Sequence, residues 1–480
     1  MNAGLIMALA LYAAGAGPGQ AVLADAAGLA RYAGPISGLC ELVRDADVTI
    51  GTLDAGLLTA VVDTYLRAGQ AAHLDVAMRG QGLAGAPTLL SIRRTGWRCR
   101  WHDLAGLHPD GDPAATARDL GLGQRPAGDL ELAAWLGRLD TEWRSWAELE
   151  LGAELSVTLA ATAAKIAIPR QWRTAFRAAS RPARGPQGLT DTGWRIGQRA
   201  FYGGRVTCRA PGWKGDAVEY DLRSAYGWAL TQPLPDWKLY ARKPWPSEPA
   251  WYDVTVRLDG PLGPLPVRDG ADPRHLTYPA DGAEVRGTWT RDELDRDGVT
   301  VLQVHEVAAG RWSYDLQPAV SRWLERRELG GNLRKRLFRF MPNALAGKLS
   351  QKSIGWLLWD AADGEPPAGA QPLGLDCRAF AVPVPAAYQP VTCPQAGSYV
   401  TSLVRSRVWA QLSRPEALYS DTDSVHLPAG AAPPADMGSG PGQWAEKERG
   451  WATYDGPKQY EIGSKRVGVP AMIRNKYGLR

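Results

Sequence analysis

The sequence predicts an α+β chain: an α/β domain leads, and a strand-rich domain interrupted by one helical hairpin follows. Three observations predict it. The first 190 residues mix short apolar runs (21–24, 48–50) with helical patterns (56–66, 130–146, 155–168), the alternation of an α/β layer. From 200 onward strand-like runs dominate, at 218–221, 252–258, 299–307 and 418–420. Two helical patterns, 317–329 and 333–349, interrupt them and meet at Gly330-Gly331.

A chain of 480 residues has room for two or three domains. Its five cysteines (Cys40, Cys99, Cys208, Cys377, Cys393) lie far apart and form no CxxC pair. That argues against a disulfide framework or a zinc site and fits a reducing compartment. The cytoplasm is the expected setting. The apolar stretch 5–16 has no Lys or Arg before it and is too short to span a bilayer, so it reads as a buried strand or helix. No membrane partner is expected.

Charge is unevenly placed. Residues 1–150 hold 12 Arg, no Lys and 17 acids, a formal −5, whereas the whole chain carries +5. The remainder is therefore strongly basic, and a polyanion would bind there. The Pro/Gly/Arg-rich stretch 180–188 separates the two parts; 361–375 and 428–442 are further Pro/Gly loops.

Two acidic motifs carry the chemistry. In the first, VEYDLRSAY, a strand ends at Asp221 and a turn with Ser224 and Tyr226 follows. The second, LYSDTDSV, places Asp421 and Asp423 two residues apart between apolar positions. In a regular strand both carboxylates would share one face. A tight hairpin turn, which the same residues suit, would present one side chain and the neighbouring backbone. Clustered carboxylates repel one another, and hard divalent cations relieve that cost. Two such ions suit an in-line phosphoryl displacement.

Residues 331–352 carry six basic side chains and no acid. Lys335, Arg339 and Asn343 are spaced by four and share one helix face. A cationic stripe ending in an amide suits a triphosphate with its base or sugar. A hairpin turning at Gly330-Gly331 would bring Arg327 to the same pocket.

Taken in order, these pieces resemble the family B DNA polymerases, particularly compact viral, plasmid and protein-primed members. Residues 221–226 resemble motif A (DxxSLYP), 339–347 resemble motif B (KxxxNSxYG), and 419–424 resemble motif C (YxDTDS), the most specific match. Lys458-Gln459-Tyr460 is similar to KxY, and 465–470 to a KKGVP-type run. Residues 201–205 are similar to the YxGG motif that joins exonuclease and polymerase domains.

The resemblance implies a right-hand palm and fingers preceded by an α/β RNase H-like exonuclease-type domain. It divides the chain into 1–190 (degenerate exonuclease-like), 191–316 (first part of the palm), 317–352 (fingers hairpin), 353–392 (a strand excursion) and 393–480 (second part of the palm with a truncated thumb). It implies that Asp221 and Asp423, with the Leu222 carbonyl, hold two Mg²⁺ ions (Mn²⁺ as a substitute), with Asp421 supporting or ligating as the third catalytic acid. Ser224 and Tyr226 would face the nucleotide, Tyr226 excluding a 2′-OH. Arg327, Lys335, Arg339 and Asn343 would hold the incoming dNTP. Tyr202, Gly203, Gly204, Arg205, Gly347, Lys348, Lys458, Tyr460, Lys465 and Arg466 would contact primer-template DNA.

The match has departures. Gly227 replaces the usual Pro of motif A, Arg339 the Lys of motif B, and Ala346 its Tyr, while Pro342 sits inside the motif B helix. They bear on fidelity and rate rather than on the metal site. Asp54 matches the second exonuclease motif, but 136–140, ending at Asp140, lacks the Tyr of the third, and no DxE precedes them; Asp25 is the nearest approach. Proofreading is therefore expected to be absent. Twenty residues follow Tyr460, so a terminal protein or accessory subunit is expected to replace the thumb. The reading is a template-directed polymerase extending a primer 3′ end. A primase-like or untemplated nucleotidyl transferase and a non-catalytic DNA-binding scaffold are the alternatives.

Overall fold

The computed structural model describes residues 11–15, 20–25, 30–35, 48–52, 75–79, 89–94, 97–103, 107–109, 112–126, 129–156, 158–172, 196–268, 276–350, 354–360, 364–365, 370–373, 379–385 and 393–468. The expected helix at 56–66, Asp54, the stretch 180–188 and everything after Gly468 lie outside them. The described chain forms two compact units: 1–166 with 326–344 and 352–389, and 167–325 with 345–351 and 390–480.

The first unit is built on a ten-stranded mixed sheet. Strand Ala30–Pro35 pairs antiparallel with Gln20–Asp25, which pairs antiparallel with Leu11–Gly15. Leu11–Gly15 then runs parallel to Val48–Thr52, and that strand parallel to Trp97–Asp103. Three antiparallel strands followed by two parallel ones are the RNase H-like arrangement. Helix Asp129–Leu151 packs on Leu11–Gly15 and Gln20–Asp25. It buries Trp135, Leu136, Leu139, Trp143 and Ala147, a three-to-four-residue spacing that puts one apolar stripe on the sheet. Strands Ile354–Asp360, Gln371–Leu373 and Ala379–Pro385 extend this sheet, Trp356 standing opposite Met78 of Asp75–Arg79.

In the second unit a seven-stranded antiparallel sheet forms the centre. Its order is Lys465–Val467, Gln459–Ile462, Trp444–Gly456, Lys214–Leu222, Ser424–Pro428, Tyr419–Thr422, Arg205–Cys208. Strand Lys214–Leu222 is thus central, and its run Ala217–Tyr220 is buried. Helix Pro394–Leu412 packs across Tyr419–Thr422 and Ser424–Pro428 and against helix Ala225–Thr231. A three-stranded sheet (Ala283–Thr290, Ala250–Leu258, Val299–Ala309) has its own core of Val254, Val256, Leu258, Leu265 and Trp289 around Tyr202.

The two helical patterns fold as Gln317–Glu328 and Asn332–Leu349, the latter continuing through Pro342. Gly330 and Gly331, both at positive φ, allow the turn between them. Among the described residues no helix is long and apolar enough to cross a membrane.

Candidate active site

Strand pairing assembles the carboxylates. Ser424 stands opposite both Asp421 and Asp221, so the two acidic motifs lie on adjacent strands. The turn between Tyr419–Thr422 and Ser424–Pro428 is tight. Thr422 takes φ 63, and the Asp423 N–H donates to the Asp421 carbonyl at 2.7 Å, a γ-type turn. Of the two geometries open from sequence, the hairpin turn is the one formed. The Leu222 N–H donates to the Asp423 carbonyl at 2.8 Å, which ties the tip of motif C to the end of the motif A strand.

Asp423 is the electrostatically strained member. Its pKa is pushed up to about 6, first by burial and then by the charge of Asp221, with Lys447 pulling the other way. Asp421 points elsewhere: it accepts from the Thr422 hydroxyl at 3.1 Å and pairs with the Lys458 ammonium. Tyr226, in the first turn of Ala225–Thr231, has its hydroxyl pKa raised by burial and then by Asp423, so the phenol lies within the field of that carboxylate. Ser224, the residue before this helix, takes φ 47, and Lys458 takes φ 58. Three non-glycine residues of the site therefore hold left-handed backbone, a conformation that clusters at functional sites.

The donor set bears on a metal. Among the described residues no group of three or more His, Cys, Asp or Glu side chains is placed to hold an ion by itself. Asp221 and Asp423 remain as a coupled pair of hard oxygen donors. That fits Mg²⁺, which binds through one or two carboxylates and takes its other ligands from water and phosphate.

The expected DNA contacts fall into two groups. Lys458, Lys465 and Arg466 keep solvent exposure, although Lys465 pairs with Glu219 at 2.7 Å and Arg466 with Glu461 at 3.6 Å. Gly347 is exposed, and Lys348 is half-buried with its pKa lowered by burial. Tyr202, Arg205 and Tyr460 are buried. The Tyr460 ring packs against Tyr419 and His426, with centroids 4.7 and 5.0 Å apart. The Arg205 guanidinium stacks on Tyr278 and donates to the Gly263 carbonyl at 2.7 Å.

These buried residues fix the site from behind. Buried Arg405 pairs with buried Glu293 at 2.7 Å and donates to the Tyr202 and Gly203 carbonyls. Burial opposes the ionisation of Glu293, but Arg405 and Arg296 hold its pKa down. A Cβ on Gly204 would meet Thr422 Cγ2 at 2.5 Å and Cα at 2.9 Å, so the YxGG segment closes directly on the motif C turn. Sequence reasoning missed Arg405, Glu293, Glu219, Lys447 and the Tyr419–His426–Tyr454 cluster. Glu219 and Tyr419 lie inside the two acidic motifs and the others in no recognisable local motif; strand pairing and packing bring their partners in from distant positions.

On helix Asn332–Leu349, Lys335, Arg339, Asn343 and Gly347 are exposed, whereas Leu333, Leu337, Met341, Leu345 and Leu349 are buried. The stripe read from spacing is therefore a solvent face. Arg334 and Arg336 leave it to pair within the first unit, with Glu150 at 2.5 Å and Asp119 at 3.0 Å. Arg327 is half-buried beside Glu328. Arg327 and Lys335 through Asn343 belong to the first unit, and the carboxylates to the second.

No family model matches the sequence, and no curated protein matches it. Solved structures do. Phi29 DNA polymerase complexed with primer-template DNA and incoming nucleotide superposes with a TM-score of 0.71 at 14% identity, covering 96% of this chain and 90% of that one. The chain has a Phi29 DNA polymerase-like fold. The same polymerase in a binary complex with primer-template DNA gives 0.68 at 14% identity, over 94% and 87% of the two chains. With single-stranded DNA it gives 0.66 at 15%, over 94% and 86%. This Phi29-like, family B-like fold is the α+β right-hand architecture with an RNase H-like domain that the motifs imply.

Proposed function

We propose that this protein is a template-directed DNA polymerase that adds dNTPs to a primer 3′ end. One observation carries the reading: Asp221, near the end of strand Lys214–Leu222, and Asp423, in the turn leading into the adjacent strand Ser424–Pro428, form an interacting carboxylate pair, Asp423 being pushed up to about 6. The likeness of fold to a polymerase solved with primer-template DNA and nucleotide supports it.

In this reading Asp221, Asp423 and the Leu222 carbonyl hold two Mg²⁺ ions, with Mn²⁺ as a substitute. Bound there, such ions would supply positive charge against the phosphates and lower the pKa of the primer 3′-OH. That oxygen attacks the α-phosphorus of the dNTP, and pyrophosphate leaves. Tyr226 stacks under the sugar and excludes a 2′-OH. Lys335, Arg339 and Arg327 hold the triphosphate, and Asn343 lines the nucleotide pocket. Lys458 positions the primer while the buried Tyr460 ring holds the Lys458 turn, whose N–H donates to the neighbouring Tyr419 hydroxyl at 2.7 Å. The YxGG segment, clamped by Arg405, sets the motif C turn rather than touching DNA through Arg205.

Proofreading is absent in this reading. Asp140, in the third exonuclease position, is buried and its carboxylate accepts from Arg144 at 2.9 Å, which leaves it poorly placed for a second metal pair.

The test is extension of a labelled primer with Mg²⁺ and dNTPs, with and without template. Templated extension that Asp423→Ala abolishes supports the proposal. Extension indifferent to template would replace it with an untemplated transferase, and DNA binding without extension with a scaffold. Loss of 3′ label from single-stranded DNA, abolished by Asp54→Ala, would restore proofreading.

A further inference from the structure

Lys447 stands at an irregularity that has a chemical consequence. Strand Trp444–Gly456 runs antiparallel to Lys214–Leu222, with Ala445 opposite Asp221 and Glu446 opposite Tyr220. The register then slips, and Glu448 rather than Lys447 takes Glu219 as its partner. Lys447 is the extra residue of a β-bulge, a feature that re-aims side chains beside functional sites. The bulge sends its ammonium to 2.7 Å from Asp221 Oδ1 and 3.6 Å from Glu219 Oε1.

The two acids do not depend on it equally. Glu219 is buried and has its own cation in Lys465, at 2.7 and 2.8 Å. The close partner of Lys447 is Asp221, the first carboxylate of the pair. Lys447 is 49% exposed and Asp221 27%, so the bridge is of the solvent-accessible kind that opens at little cost. A cation that arrives at Asp221 must share or displace an ammonium already hydrogen-bonded to one of its oxygens.

We propose that Lys447 is a built-in counter-ion: it occupies Asp221 when no metal is bound, yields it to a divalent cation, and so sets the cation concentration at which the site loads. This rests on the reading of Asp221 and Asp423 as the metal-holding pair. Lys447 acts through Asp221 and is a positioning residue.

The test is Mn²⁺ binding to the whole protein, followed by the electron paramagnetic resonance signal of free Mn²⁺. Wild type is compared with Lys447→Met, Lys447→Gln, Lys447→Arg and Asp221→Asn, each checked for an unchanged circular dichroism spectrum. Both neutral variants are expected to bind Mn²⁺ more tightly, on the order of three- to tenfold, and Lys447→Arg to stay near wild type. A lysine that merely holds the strands together would give equal or weaker binding when lost. Equal or weaker Mn²⁺ binding by whichever neutral variant folds, with Asp221→Asn still weakening it, overturns the counter-ion and leaves the metal site standing. Mn²⁺ binding indifferent to Asp221→Asn overturns both.

Discussion

At the scale of single residues, Asp423 holds a charge at a cost. Its folded pKa of about 6 lies above the ordinary carboxylate value, because burial and then Asp221 disfavour the anion. The folded state therefore binds this proton more tightly than the unfolded chain does. The ionised group opposes folding above pH 6, and the penalty is relieved as pH falls from 6 toward 4. Asp423→Asn, which keeps the shape and removes the charge, is predicted to raise stability at pH 7 by about 2 kcal/mol. In the proposed reading it also lowers primer extension at least ~1000-fold. Urea melts beside a primer-extension assay check both, and a destabilised variant would contradict the electrostatic account. Tyr226 gives a second case. Its hydroxyl lies in the field of Asp423, and in the proposed reading its ring stacks under the sugar, so Tyr226→Val is predicted to raise the ratio of rNTP to dNTP incorporation by roughly 10- to 100-fold.

At the scale of elements, the helix Asn332–Leu349 separates two uses of positive charge. Lys335 and Arg339 lie on its exposed face, whereas Arg334 pairs with Glu150 and lowers that carboxyl's pKa through its hydrogen bond. In the proposed reading Lys335→Ala and Arg339→Ala raise KM for dNTP about tenfold each, Lys335→Ala with the melting temperature unchanged. Arg334→Ala should do the reverse, lowering stability with little change in KM; steady-state kinetics and thermal melts on the three variants decide it. The four-residue spacing made the face legible in the sequence, because helix periodicity is local. The strand end near Asp221 and the turn at the DTDS run were legible too, each from its own motif; that their strands pair was not. Less was legible where a side chain's target depends on register. Lys447 reads as one charge in an alternating exposed strand, and only a bulge against Lys214–Leu222 sends it to Asp221. The resemblance implies a DNA contact at Tyr460, whereas the sheet turns its ring into the Tyr419–Tyr454 cluster. The junction of 354–360 with 75–79 was equally hidden, because pairing across nearly 300 residues leaves no local pattern.

At the scale of the whole molecule, each unit has a buried histidine among its described residues. His108 in the first and His426 in the second are held down to about 3, burial being the main cause in both. Arg144 and Arg336 add to it at His108, where Asp112 opposes them; Lys465 and Lys447 add to it at His426. A depressed folded pKa means that the unfolded chain binds more protons between pH 6.5 and 3. Stability is therefore complete above 6.5 and falls with acid, by about 1.4 kcal/mol per pH unit for each histidine once below its unfolded pKa. Asp423 works in the opposite sense over pH 6 to 4, so on the second unit the two slopes partly cancel, while on the first His108 has no such counterweight in the Asp423 site. The first unit is predicted to be the more acid-labile of the two. His108→Phe, which keeps a ring beside Trp143 at the position now 5.5 Å away, should flatten the acid limb of the first unit between pH 6 and 4. His426→Gln should do so for the second, less the loss of its 3.0 Å bond to the Tyr454 hydroxyl. Hydrogen exchange resolved along the chain at pH 7, 5.5 and 4.5 distinguishes the units. Equal acid sensitivity of both in wild type, or an unchanged slope in His108→Phe, would show that carboxylate pairs such as Asp119 with Arg336 govern acid unfolding instead.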